Sequence, residues 1–255
     1  MSLSGKIVCI TGASSGIGEA TAKAFAKEGA RLILLSRTID NLEKVAKGIL
    51  VDHDIEILTA ELDVRDQDAV SDFVLHLPED WQAVSVLVNC AGLARGFADM
   101  QDGSISDWDE MIDTNVKGLL YMTRSILPLM IKENQGHVIM IGSLAGRAAY
   151  SKGGVYCATK AAVKTIADGI RIDTVDKNIR VTDIQPGLVE TNFSNVRFHG
   201  DAEKANNVYK GLTPLYADDV ADAVLYAASR PAHVQINEIL LTCTDQAAST
   251  VVNRK

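Results

Sequence analysis

No apolar run in this 255-residue chain approaches the ~20 residues that a membrane-spanning helix needs, so no such span is expected. The opening stretch Met1-Ser-Leu-Ser-Gly-Lys-Ile has no long apolar core and leads directly into a strand pattern, so no secretory leader is expected. Cysteine is scarce. Cys9, Cys90, Cys157 and Cys243 are scattered with no C-x-x-C pair, which argues against structural zinc, and no metal site is expected. Three of them lie in apolar or strand-like surroundings, as reduced thiols of a cytoplasmic protein would. Cys157 adjoins Tyr156 and reads as a small core residue, with redox sensitivity the alternative. There is no excess of positive charge: the net charge is −8, which argues against a nucleic-acid surface or an anionic membrane as partner. Linkers, repeats and low-complexity tracts are also missing. Residues 1–255 therefore read as one domain, 47% hydrophobic and long enough for a proper core.

Strand and helix patterns alternate throughout. Strands are expected at 6–10, 31–35, 54–58, 84–88, 138–141, 179–184 and 238–241. Helices are expected at 16–28, 39–50, 66–77, 107–134, 155–175 and 218–228, with Pro128 placed to kink the long one late. Continuous apolar strands alternating with helices imply an α/β fold, a Rossmann-like, doubly wound parallel sheet of about seven strands with helices on both faces. Residues 187–212 differ. They are long and mixed in character, with Phe193, Val196, Phe198 and Tyr209 as apolar anchors. We read them as a substrate lid, against a merely variable surface insertion.

The chemistry centres on Tyr156-Cys-Ala-Thr-Lys160. Tyrosine and lysine four apart share a helix face. A phenol of pKa near ~10 is a poor acid or base at neutral pH, and a nearby ammonium favours its phenolate. Ser143, just past the strand at 138–141, falls at a sheet edge where its hydroxyl can hold a substrate oxygen beside the phenol. Alone, this pair is common on solvated helices.

A phosphate loop supplies the missing support. In Thr11-Gly12-Ala13-Ser14-Ser15-Gly16-Ile17-Gly18, Gly12 allows a tight turn, Gly16 lets the backbone approach a pyrophosphate, and Gly18 permits close helix–strand packing. The helix opening there offers free N–H groups and the positive end of its dipole. The second strand ends in Ser36-Arg37-Thr38 without the acidic residue that would select NAD. Arg37 is suited to a 2′-phosphate, which favours NADP, with Asp40 nearby as a mild counterweight.

The set Thr11–Gly18, Asn89-Cys90-Ala91-Gly92, Asn115, Ser143, Tyr156-x-x-x-Lys160 and Pro186-Gly187 resembles the short-chain dehydrogenases/reductases across nearly the whole chain. Trp108 to Arg124, Arg180 to Val189, Phe193 to Asp201 and Pro231 to Asn237 are similar to the NADP-dependent 3-hydroxy acid dehydrogenases of that family, also described as serine or L-allo-threonine dehydrogenases. The resemblance implies that Tyr156 is the general acid/base and that Lys160 lowers its pKa and binds the nicotinamide ribose. Ser143 would polarise the substrate carbonyl, and Asn115 would hold a water of a proton relay. It further implies that Asp63 and Val64 contact adenine, Asn89 the adenosine ribose side, and Pro186, Gly187, Val189 and Thr191 the nicotinamide carboxamide. A cytosolic homotetramer acting on a small molecule is implied as well. Cys90 stands where the family usually has asparagine, Thr38 where the similar group has a second arginine, and Arg95 and Arg147 have no clear counterpart there.

The expected reaction is reversible hydride transfer between NADP and a secondary alcohol or ketone, with short 3-hydroxy acids as substrates. A substrate carboxylate needs a cationic anchor. Arg197 in the lid is the first candidate and Arg147 the second. Bulkier ketones or 3-oxoacyl thioesters with the same catalytic residues, and a non-catalytic NADP(H)-sensing module, are the alternatives.

Overall fold

Strands form where apolar residues run without interruption. In the computed structural model, which describes residues 2–255, Ile7–Thr11 (β1) is buried along its whole length and Arg31–Ser36 (β2) at all but its first residue. Such runs bury both faces of a sheet. Alternate residues therefore feed two cores: Val8, Ile10, Leu32 and Leu34 face one side, and Ile7, Cys9, Ile33 and Leu35 face the other.

The chain continues through α1 (Gly16–Lys27, between β1 and β2), α2 (Ile39–Asp52), β3 (Ile57–Glu61), α3 (Gln67–Leu75), β4 (Val84–Asn89) and α4 (Ile105–Ile112). Then come α5 (Leu119–Lys132), β5 (Gly136–Ile141), α6 (Gly154–Asp173), β6 (Ile179–Pro186), β7 (Val189–Glu190), α7 (Phe193–Arg197), α8 (Ala202–Asn207), β8 (Leu215–Tyr216), α9 (Ala217–Ser229) and β9 (Glu238–Leu241). The seven-stranded sheet has the order β3-β2-β1-β4-β5-β6-β9, and its neighbours all pair parallel. Residues of α1, α2 and α9 join the core on one face, and those of α3, α5 and α6 the core on the other. The doubly wound sheet expected from the sequence is present. Its strand order reverses between β1 and β4, where crevices open at the carboxyl ends of the strands. Among the described residues, no helix is long and apolar enough to cross a membrane, and no group of His, Cys, Asp and Glu could hold a metal ion.

Two expectations are corrected. The third strand lies at Ile57–Glu61 rather than 54–58, because the buried run of β2 sets its register, Leu32 opposite Ile57 through Ser36 opposite Glu61. The long helix expected at 107–134 is broken in its middle. Between α4 and α5, Asp113–Gly118 forms a π-helical turn, whose extra residue per turn places both Thr114 and Asn115 in the interior. Gly118 closes that turn against Val64, where a Cβ would meet the valine Cγ2 at 2.6 Å. In the segment 187–212, β7 pairs parallel with the following β8, and α7 and α8 lie between them. Tyr209 pins the base of this cap by donating to the Val189 carbonyl at 2.8 Å and meeting Ser194 Oγ at 2.8 Å.

Candidate active site

The glycine loop is built by backbone geometry. Gly12 and Gly16 take φ of +67° and +55°, the left-handed region that side chains avoid. A Cβ on Gly18 would lie 2.2 Å from the Gly12 carbonyl oxygen, so nothing larger fits. Thr11 Oγ1 accepts from the N–H groups of Cys90 and Ala91, each at 3.0 Å, tying the ends of β1 and β4 together. Ser36 donates to Ser14 Oγ at 2.7 Å and fixes the loop's far side. Ser15 opens α1 in extended conformation with no side-chain cap, which leaves the first N–H groups of a 12-residue helix free for an anion.

A cleft of about 430 Å³ runs over this loop. Gly12, Ser14, Ser15, Gly16, Ile17 and Gly18 form its floor, and Arg37, Thr38, Asp63 and Val64 one end. Ser143, Tyr156, Lys160, Pro186, Gly187, Val189 and Thr191 form the other. A glycine cradle with no room for a Cβ, an uncapped helix start and an arginine at the tip of β2 together fit a dinucleotide with a phosphorylated ribose. Asn89 lies elsewhere. Its side chain is buried and donates to Thr123 Oγ1 at 2.9 Å, so β4 turns it into the core and away from the cleft. Burial raises the Asp63 pKa, but the paired hydrogen bonds and charge of Arg65 outweigh this and hold the carboxyl below its usual range.

Tyr156 and Lys160 are both buried on one face of α6, and Ser143 follows β5. Ser143 Oγ accepts from Ala145 N at 3.1 Å and donates to the Pro186 carbonyl at 3.4 Å. Burial raises the Tyr156 pKa, helped by Tyr150, while the Ser143 hydroxyl and Arg197 oppose it without prevailing. The Lys160 ammonium donates to the Ile141 carbonyl at 2.7 Å and sits 6.0 Å from the tyrosine ring centroid. Burial lowers Lys160 itself to about 8, against the opposing pull of the buried Asp183.

The Asn115 side chain is engaged throughout. Its Oδ1 accepts from Leu93 N at 2.8 Å, and its Nδ2 donates to the Leu93 carbonyl and to Thr159 Oγ1 at 2.8 and 3.1 Å. Both amide hydrogens are therefore taken, and the side chain ties the π turn to the start of the cap's neighbour loop and to α6.

A second cavity, of about 360 Å³, opens beyond Tyr156. Trp108, Met111, Tyr150, Phe97, Arg95 and Arg197 are among its walls, and Tyr156 is the residue that lines both cavities. The Arg197 guanidinium lies 5.0, 5.4, 5.8 and 6.0 Å from the ring centroids of Phe97, Tyr150, Tyr156 and Phe198. Its Nη1 donates to Tyr150 Oη at 2.9 Å, and among the described residues it has no acidic partner. Arg147 lines neither cavity. It donates to Gln185 Oε1 at 2.5 Å and pairs with Glu238 on β9, which removes it as a substrate anchor. Thr11, Ser36, Tyr150 and Glu110 contribute to these walls or their support without having stood out in the sequence. Only Thr11 and Ser36, beside the glycine loop and at the tip of β2, carried a positional signal.

Residues 6–202 match the family described as short chain dehydrogenase. The chain is 42% identical over 254 residues to an NADP-dependent 3-hydroxy acid dehydrogenase of Schizosaccharomyces pombe, covering 99% of this chain and 98% of that one. It is 42% identical over 244 residues to sulfoacetaldehyde reductase 2 of Chromohalobacter salexigens, covering 95% and 96%. The solved closed form of serine dehydrogenase complexed with NADP+ superposes with a TM-score of 0.92 at 41% identity, over 98% of this chain and all of that one. With its glycine cradle, its buried tyrosine and lysine on one helix face, and these matches over nearly its full length, the chain belongs to the short chain dehydrogenase family and is an oxidoreductase.

Proposed function

We propose that this enzyme is an NADP-dependent dehydrogenase acting on the 3-hydroxyl of a short organic acid, oxidising a primary one to the aldehyde and a secondary one to the ketone, with 3-hydroxy acids such as serine, L-allo-threonine or 3-hydroxypropionate as substrates. One observation carries the reading: Tyr156 stands at the junction of a nucleotide cleft and a cavity into whose aromatic wall Arg197 is set without an acidic partner among the described residues. Gly12 to Gly18 would hold the pyrophosphate, Arg37 the 2′-phosphate, Asp63 and Val64 the adenine side, and Lys160 and Pro186 to Thr191 the nicotinamide side. Bound there, NADP supplies the hydride acceptor and NADPH the donor.

The chain's own residues handle the proton and the orientation. Ser143 Oγ holds the substrate oxygen, and the Tyr156 phenol gives that oxygen a proton in reduction, while its phenolate takes one from the substrate hydroxyl in oxidation. Arg197 binds the acid group, and the aromatic rings around it exclude water and strengthen the pairing. Asn115 serves as a brace, through its bonds to Leu93 and Thr159, rather than as a side-chain water ligand.

A sulfonate would suit the same arginine, and the relative named sulfoacetaldehyde reductase 2 favours testing one. Initial rates with NADP and with NAD on serine, 3-hydroxypropionate, 3-hydroxybutyrate and a neutral alcohol, and with NADPH and with NADH on sulfoacetaldehyde and a bulky ketone, separate these readings. Arg197→Ala should lower kcat/KM on the acids by about tenfold or more, the scale of a charge-assisted contact, and leave the neutral alcohol nearly untouched. Equal losses on both would remove Arg197 as the anchor.

We further read the chain as a cytoplasmic homotetramer. Exposed Ile112, Leu120, Ile131 and Ile172 on α4, α5 and α6 leave apolar surface for helix-to-helix subunit packing. The four cysteines are free thiols.

A further inference from the structure

Between the two cavities, three arginines converge on one carboxylate. Glu110, on α4, receives Arg95 Nε at 2.7 Å on one oxygen. Its other oxygen lies 3.4 Å from Arg95 Nη2 and 3.8 Å from both Arg37 Nη1 and Arg65 Nη1. The third nitrogen of Arg95 donates to the Val196 carbonyl at 2.7 Å, in the last turn of α7. One residue on, Gly96 N donates to the Arg197 carbonyl at 3.0 Å. Arg95 is thus a strut between Glu110 and the segment that carries Arg197. Arg37, at the other side of the same carboxylate, is about half exposed and lines the nucleotide cleft.

We propose that Glu110 is a positioning residue that links the 2′-phosphate site of the nucleotide cleft to the order of α7 over the substrate cavity, through Arg37 on one side and Arg95 on the other. The inference rests on the reading of the cofactor as NADP. The cluster holds three positive charges, Arg37, Arg65 and Arg95, against two negative ones, Asp63 and Glu110. A phosphate dianion beside Arg37 is a better partner than a carboxylate 3.8 Å away. Once Arg37 turns to the phosphate, Glu110 loses a competing cation, Arg95 pairs with it more firmly, and the Val196 carbonyl is held more tightly. A ligand with the same adenosine and no 2′-phosphate leaves Arg37 where it is and does none of this. The link would let the enzyme place Arg197 best when the phosphorylated nucleotide is present.

Hydrogen–deuterium exchange of the full chain tests this with two probes that lack the nicotinamide and share the adenosine and its 5′-phosphate, so that they differ at the 2′ position alone. These are adenosine 2′,5′-bisphosphate and 5′-AMP, each at saturation as judged by calorimetry. The bisphosphate is expected to slow exchange across residues 193–200 by about two- to fivefold, the scale that a part-exposed ion pair can move, and 5′-AMP is expected not to. In Glu110→Gln, and independently in Arg95→Gln, the bisphosphate should still bind but its effect on 193–200 should vanish. Equal slowing by both probes, no slowing by either, or slowing that persists in either variant overturns the link. If the bisphosphate binds no more tightly than 5′-AMP to the unaltered protein, the NADP reading itself fails, an outcome distinct from a bound bisphosphate without slowing.

Discussion

The proton on Tyr156 is held by its surroundings. Burial and Tyr150 raise its pKa, so the group is a phenol across the neutral range. Carbonyl reduction then starts from a loaded acid, whereas alcohol oxidation has to wait for that proton to leave. Lys160, lowered to about 8 by burial, keeps its charge below that pH and loses it above. Initial rates between about pH 6 and 10 should therefore diverge: oxidation climbs with pH, while reduction is level up to about 8 and falls beyond it. Rates that rise together would contradict this assignment of the proton. Tyr156, Lys160, Ser143 and the glycines were readable from the sequence because their spacing is local. Partners that lie far apart in the chain were not. Arg147 reaches Glu238 across 91 positions, and Asn89 turns toward Thr123 across 34. Neither pairing leaves a trace in local pattern.

At the level of elements, the loop from β1 to α1 is the stiffest requirement of the cleft. Gly18→Ala would set a Cβ 2.2 Å from the Gly12 oxygen and force the loop away from the helix start. We expect NADP affinity to drop by at least about tenfold, since the free N–H groups would no longer converge on one phosphate, with the sheet still formed. Calorimetric titration with NADP measures the first and circular dichroism the second; unchanged affinity would mean that the loop does not bind the pyrophosphate. Here again the sequence revealed some features and hid others. Apolar recurrence at threes and fours located α4 and α5, yet it cannot show the π turn between them, because the turn changes which residues face inward without changing residue type. The cap was visible only as an unusually long connection. Its helices are short, Phe193–Arg197 and Ala202–Asn207, and stand on contacts with distant segments rather than on a strong local period.

Over the whole molecule, the order of the sheet explains why the site lies where it does. The reversal between β1 and β4 opens the nucleotide cleft, and β5, α6 and β6 bring Ser143, Tyr156, Lys160 and Pro186 to its far end. The cap beyond β6 adds the second cavity and Arg197. Alternating strand and helix patterns foretold this layout, since parallel strands need crossovers and crossovers are almost always right-handed. Substrate choice was less readable, because it depends on side chains from four separate stretches that only the folded chain brings together. The central claim is that Tyr156 moves the proton while the cleft holds the cofactor independently of it. The most direct measurement is NADPH-linked turnover of a 3-hydroxy acid by Tyr156→Phe, followed by absorbance, beside NADPH binding by the same variant. Turnover should fall by about 10²- to 10⁴-fold, the usual contribution of a positioned acid/base, with binding little changed; turnover equal to that of the unaltered enzyme would contradict the account.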